Sequence, residues 1–302
     1  MARSAGAIAA RLIPVRRHEV REHLALAFPE ATDAERRALL PDVYAHLVAY
    51  ALEFCALIRD PSPAAVMRLV ETPLSDDGWL ERLWHAGRGY VAVTGHLGNW
   101  DWGGAFLAAT GQALAVVVKR QHNPWTDRLI QATRQRLGMK LISTGDHPRR
   151  LVSHVRQGGA VAIVADQDAG RDGRFVPFFG REASTAAGAA WLAVRLGVPL
   201  LPVWTYRTET GKVRITADPP IEADPGADPE AEIDRLTRYH VACLEAAIRR
   251  APAQYFWVHR RWKTRPKEIK RARRKNKSNR RDAEDAERKP GEKVTGDEPL
   301  LS

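Results

Sequence analysis

Residues 89–110 read GYVAVTGHLGNWDWGGAFLAAT. Tyr90–Val93 is an apolar run of the kind that forms a strand buried on both faces. It stops at a Thr-Gly-His-Leu-Gly-Asn turn, and an amphipathic helix begins near Trp100. His96 is thereby set at the carboxyl end of a strand, and Asp101 in the first turn of a helix. Open α/β sheets bind their ligands at this edge. A histidine there can remove a proton from a hydroxyl, and a carboxylate on its far nitrogen can hold the correct tautomer.

Spacing alone carries little of this. Three histidines have an acid five positions later: His96–Asp101, His122–Asp127 and His240–Glu245. Ten histidines should give about one such pair by chance at ordinary acidic content. His240 and Glu245 fall inside a helical pattern, where five steps of about 100° set side chains roughly 140° apart. His122 sits in a Gln-His-Asn-Pro-Trp loop, where Pro124 works against continuous helix. His96 has the strand before it, the flanking glycines Gly95 and Gly98, and a helix start directly after. Such a site suits base-assisted acyl transfer to an alcohol.

At 302 residues, with 44% hydrophobic content and nine tryptophans, the chain can bury a large core. Cys55 and Cys243 form no framework and show no metal spacing; both read as buried residues of a reducing compartment. There is no Cys/His cluster, so neither a metal nor a cofactor is expected. The N-terminus lacks the pattern of a secretory signal. The best apolar run, Val43–Leu52, is bounded by Asp42 and Glu53 and falls short of the roughly 18–20 residues that span a bilayer. The stretch AGAIAARLIPVRR (5–17) reads as an amphipathic segment on a membrane surface or as a packed helix. Of the net charge of +11, residues 263–302 supply +6, with 14 Lys/Arg against 8 Asp/Glu. That composition predicts disorder. It suits anionic lipid, a nucleic-acid backbone, or solvent alone.

Residues 15–86 read as helices. Thr32 with Glu35 three residues on is a capping-box signature. VYAHLVAYALEFCALIR is apolar around most of its circumference, as in a buried or membrane-facing helix. From residue 89 strands (90–94, 113–118, 139–143, 160–165, 198–204, 212–216) alternate with helices (near 101–110, 125–137, 148–157, 183–196, 230–250). The alternation predicts an α/β fold, with a mixed, largely parallel central sheet flanked by helices. The expected division is a membrane-proximal helical segment (1–86), a catalytic α/β domain (87–266) and a disordered charged tail (267–302).

Five blocks occur in order: GHLGNWD, VVVKRQHNPWTD, ADQDAGRDGRFVPFFGREASTAAGAAWLA, VPLLPVW and QYFWVHRRWKTRP. They resemble the late acyltransferases of lipid A biosynthesis, the lauroyl and myristoyl transferases of Gram-negative bacteria. These are relatives of glycerol-phosphate and phosphatidylinositol mannoside acyltransferases. The resemblance covers roughly residues 15–266. It implies a glycerol-phosphate acyltransferase-like fold. It also implies transfer of a fatty acyl chain from a thioester, on acyl carrier protein or CoA, to a hydroxyl of a lipid A precursor or related glycolipid. The family's motif, a His followed after four residues by an acid, falls on His96 and Asp101, as base and orienting carboxylate. Most members carry Glu at the second position, so Asp101 is a departure. The family's usual N-terminal membrane-spanning helix is not seen, so peripheral docking on the cytoplasmic side of the inner membrane is expected.

The other blocks supply candidate substrate contacts. Backbone N–H groups at Gly98 and Asn99 suit an oxyanion. Arg120 is expected to hold an anionic headgroup or a carrier phosphopantetheine, with Asn123 beside it. Asp166 and Gln167 follow the strand AVAIVA and suit acceptor binding or loop anchoring. Arg171 and Arg174 suit a lipid phosphate. Phe175, Phe178 and Phe179 suit an acyl groove or the core. Arg181 is expected beside a helix capped by Ser184 or Thr185, as an anion site. In FWVHRRWKTR, His259, Arg260 and Arg261 alternate with Trp257 and Trp262, as an interfacial strip or an edge strand. Rival readings are another lipid acceptor (aminolipid or phosphatidylinositol mannoside type), thioester hydrolysis, and a non-catalytic binder of anionic lipid or nucleic acid. Nucleic acid is the least favoured partner.

Overall fold

The β-branched apolar runs pair into one seven-stranded sheet. Strands β2 (Tyr90–Thr94), β3 (Leu114–Val118), β4 (Lys140–Ser143), β5 (Ala160–Val164) and β8 (Leu200–Arg207) run parallel, in the spatial order β8-β2-β5-β3-β4. Strand β9 (Val213–Ala217) joins β8 antiparallel, and the short β1 (Val70–Glu71) pairs with β9. This is the mixed, largely parallel sheet expected. The structure is a computed structural model and describes residues 15–71, 78–144 and 149–266. The charged tail from 267, and residues 5–14 of the N-terminal stretch, lie outside the described residues.

Alternate residues of β2 feed opposite layers, as a pleated strand requires. Tyr90 and Ala92 join a core with Trp102, Ala105 and Phe106 of helix α5 (Trp100–Ala109) and Val66 of α3 (Pro63–Leu69). Val91 and Val93 join the other core with Ala189, Ala190 and Leu192 of α8 (Gly188–Leu196) and Leu236 of α9 (Pro229–Arg250). The remaining described helices are α1 (Arg17–Ala27), α2 (Asp33–Arg59), α4 (Trp79–His85), α6 (Pro124–Arg136) and α7 (Arg149–Arg156).

The capping box opens α2 as expected. Thr32 Oγ1 accepts from the Glu35 N–H, and Glu35 accepts from the Thr32 N–H. By length and composition α2 is the one described helix apolar enough to cross a membrane, longer than the Val43–Leu52 run suggests. Yet His46, Tyr50 and Glu53 on this helix all bond to the body of the protein. Cys55 is exposed and Cys243 half-buried, not core residues as expected.

One element was not foreseen. Residues 183–185 belong to a strand rather than a helix: β6 (Arg174–Phe178) and β7 (Arg181–Thr185) form a hairpin. Its two-residue turn, Phe179-Gly180, has positive φ at both positions (51° and 69°). Twisted hairpins favour such turns, but the usual signal is Asn-Gly or Asp-Gly. Phenylalanine there is held by burial against Phe28 and Trp257 and by its N–H to Glu245. Ser184 and Thr185 therefore cap nothing; α8 begins after Ala187 without a side-chain cap.

Candidate active site

Strand register assembles the site. Thr94 of β2 pairs with Val164 of β5 in parallel. Two residues beyond each strand end, His96 and Asp166 come side by side at the carboxyl edge. Asp166 Oδ1 lies 2.6 Å from His96 Nδ1, and its Oδ2 accepts the His96 backbone N–H at 2.9 Å. The carboxylate is 3% exposed and the imidazole 18%, so a substrate can reach the ring but not its partner. With Nδ1–H donated to Asp166, Nε2 is left as the free base. Burial alone would lower the His96 pKa, but the facing Asp166 charge and hydrogen bond raise it above the ordinary value of 6.5. Burial would likewise raise Asp166, and the same pairing brings its carboxyl down to about 2.

The loop carrying His96 is clamped from below. The Phe256 N–H donates to the His96 carbonyl at 3.0 Å, the Gly98 N–H to the Gln254 carbonyl at 2.9 Å, and Thr205 Oγ1 to the Leu97 carbonyl at 2.8 Å. Gly98 has φ +59°, and a Cβ there would meet the Thr205 carbonyl oxygen at 2.0 Å. No L side chain fits without moving β8. Gly98→Ala is expected to cost more than about 2 kcal/mol of stability, read as a lowered midpoint in urea unfolding. An unchanged midpoint would show that the loop is not clamped. Because its N–H is already bonded, Gly98 does not supply the oxyanion donor expected of it.

Asp101 does not orient His96. Its Oδ1 accepts from Arg134 of α6, at 2.8 Å from Nε and 2.7 Å from Nη2, and its Oδ2 accepts from the Tyr50 hydroxyl at 2.8 Å. The helical first turn aims this carboxylate at α2 and α6, and the neighbouring strand provides the one that meets the imidazole. Asp101 acts on His96 only through its charge. Asn99 is also structural, being 1% exposed. Its Oδ1 caps α5 at the Trp102 N–H, and its Nδ2 donates to Glu53. Glu53 in turn takes both Nε (2.5 Å) and Nη2 (2.8 Å) of Arg207, whose Nη1 lies 2.8 Å from His46. Burial, then the Arg207 charge, brings His46 down to about 3, so it stays neutral and accepts. Helix α2 is thus bolted to the catalytic loop.

Aromatic rings flank the base. Trp100 meets His96 edge-on at 4.4 Å between centroids, Phe256 lies 5.7 Å away, and Tyr50 stacks on Trp100 at 4.4 Å. Gln167 is exposed, with Nε2 3.4 Å from His96 Nε2.

A family model for bacterial lipid A biosynthesis acyltransferases matches residues 1–264. The chain belongs to that family. It is similar to the lipid A biosynthesis palmitoleoyltransferase of Escherichia coli, 28% identical over 264 residues, which is 86% of this chain and 83% of that protein. It is also similar to the lipid A biosynthesis myristoyltransferase of the same organism, 28% identical over 276 residues (90% and 83%). A phosphatidylinositol mannoside acyltransferase of Mycolicibacterium smegmatis is 30% identical over 131 residues, covering 41% of this chain and 43% of that one.

Several residues expected to touch substrate in this acyltransferase have other duties. Thr185 is buried and bonded through Oγ1 to Arg261, which also donates to the Ser184 carbonyl. Trp257, Arg261 and Trp262 are buried, so the FWVHRRWKTR block is neither an interfacial strip nor an edge strand but a strap through the core. Asp168 accepts from Thr264 and donates its N–H to His259, tying the 166–168 turn to that strap. Burial lowers His259 to about 4, as an acceptor requires. Phe178 and Phe179 are core residues, so the rings beside His96 are Trp100 and Phe256. Asn123 caps α6, Arg174 pairs with Glu230, and Arg181 sits exposed on β7 away from any helix start. Arg171 lies exposed in the Gly170–Asp172 turn. Arg120 lies exposed in the loop after β3, at the same sheet edge as His96.

Proposed function

We propose that this acyltransferase moves a fatty acyl chain from a thioester, on acyl carrier protein or CoA, to a hydroxyl of a lipid A precursor. The reaction takes place at the cytoplasmic face of the inner membrane, with His96 as general base and Asp166 as its orienting carboxylate. The observation that carries this is the 2.6 Å Asp166–His96 contact at the carboxyl edge of the sheet in a chain of this family. Nε2 takes the acceptor proton as the hydroxyl oxygen attacks the thioester carbonyl. The tetrahedral intermediate collapses, the C–S bond breaks, and the imidazolium returns its proton to the departing thiolate. Asp166 stays ionised and balances the imidazolium charge. Trp100 and Phe256 give the acyl chain an apolar flank and limit water at the base. The lipid A acceptor is favoured because those relatives match most of the chain, whereas the phosphatidylinositol mannoside enzyme matches less than half.

The base must be neutral to act, and its pKa is raised. The transfer rate (kcat/KM) should therefore climb with pH along a limb centred above 6.5, measured with buffered carrier thioester and micellar acceptor. A flat profile, or a limb centred below 6.5, would contradict the pairing. Purified enzyme supplied with defined donors and acceptors tests the function itself. Acyl lipid A should form, and free fatty acid released at the same rate without acceptor would indicate a thioesterase instead.

A further inference from the structure

Helix α6 carries apolar side chains on its solvent face as well as on the face it packs. Its inner face carries the buried Thr133 and the Arg134 that holds Asp101. Its outer face shows Trp125, 77% exposed, Leu129, 47% exposed, and Ala132, one turn apart each. Nothing among the described residues covers this stripe. Lys119 and Arg120 lie in the loop before the helix and Arg128 and Arg136 on it, all exposed, with the Arg128 guanidinium 5.5 Å above the Trp125 ring. The single acid between 119 and 136, Asp127, is half-buried and occupied by the Gln121 N–H and the Gln131 amide.

We propose that the outer face of α6 lies in the headgroup layer of an anionic bilayer, with Trp125 and Leu129 inserted and Lys119, Arg120 and Arg128 on lipid phosphates. Apolar side chains with cations on either side make an interfacial helix. Indole rings favour headgroup depth, and long basic side chains reach past it to phosphate. An acidic carrier protein would need the cations but not an exposed indole, so the bilayer fits better. Position gives the surface its use. The parallel strands β2 and β3 end at one edge, so the start of α6 stands on the same rim as His96. Docked this way, the base opens toward the lipid layer, a use that rests on the acceptor being a membrane lipid.

Full-length protein and the Trp125→Ala/Leu129→Gln double variant would be mixed with vesicles of phosphatidylethanolamine and phosphatidylglycerol, without acceptor or donor. Partitioning by sedimentation should fall at least about tenfold in the variant, a factor equal to ~1.4 kcal/mol. Vesicles should also protect residues 124–132 of the wild type from deuterium exchange. Unchanged partitioning, or no protection there, would overturn the proposal. So would a variant that binds vesicles normally but shows a raised KM for the acyl carrier, which would make the face a protein dock. Micellar acceptor separates the two readings. The folded variant should keep its rate on micelles and lose rate on vesicles. Wild type inactive on both, with the vesicle effect intact, would remove the assigned reaction and leave the surface standing.

Discussion

His96→Ala is expected to lower acyl transfer by at least about 100-fold, with the fold intact. A general base typically supplies about 10²–10⁴ in rate. A thioester is reactive enough that residual turnover from binding and alignment should remain measurable. The fold should survive, because the ring is partly open to solvent and the backbone clamps on its loop do not use the side chain. Initial rates on a micellar lipid A precursor, normalised to folded protein by circular dichroism, give the comparison. Near-normal turnover in the variant would remove His96 from the chemistry.

Asp166→Asn should come close to the same loss, about 10²–10⁴-fold, for a different reason. The amide nearly matches the carboxylate in shape, so the His96 backbone contact can persist. What disappears is the negative charge that fixes the Nδ1–H tautomer and balances the imidazolium formed in the transition state. Burial then acts on His96 with only the weaker Asp101 charge against it, and its pKa should drop. The pH–rate limb should therefore move to lower pH as the maximal rate falls. A structural defect alone would lower the rate without moving the limb.

The sheet was legible because its strands are runs of Val, Ile, Leu and Ala between turns, and a run buried on both faces needs no partner to be recognised. His96 was legible for the same reason, standing at the end of the clearest strand. Its partner was not. The carboxylate five residues on is near in sequence, but the one that touches the ring is 70 residues away. Asp166 stood in view after its own strand. Pairing it with His96 required knowing that β5 lies beside β2 while β3 and β4 lie beyond, and sheet order is not written in local pattern. The family motif reinforced the nearer acid, whose role here is to anchor Arg134 and Tyr50.

The misplaced apolar wall has a similar origin. Phe178 and Phe179 stand in a long, distinctive block, but a positive-φ hairpin turn directs them into the core. Trp100 and Phe256 reach the base because one opens α5 and the other opens the strap, where its N–H bonds the His96 carbonyl. Nor could the Glu53–Arg207 pair have been foreseen, since it joins residues 154 apart with no motif around either.

The most direct test compares single-turnover acyl transfer by Asp166→Asn and Asp101→Asn enzymes, side by side and corrected for folded fraction. The Asp166 variant should lose at least about 100-fold. The Asp101 variant weakens the ion pair to Arg134 but takes from the base only a secondary charge, and once corrected for folded fraction should stay within roughly tenfold of wild type. A large loss in the Asp101 enzyme with the Asp166 enzyme nearly normal would contradict the pairing on which the account stands.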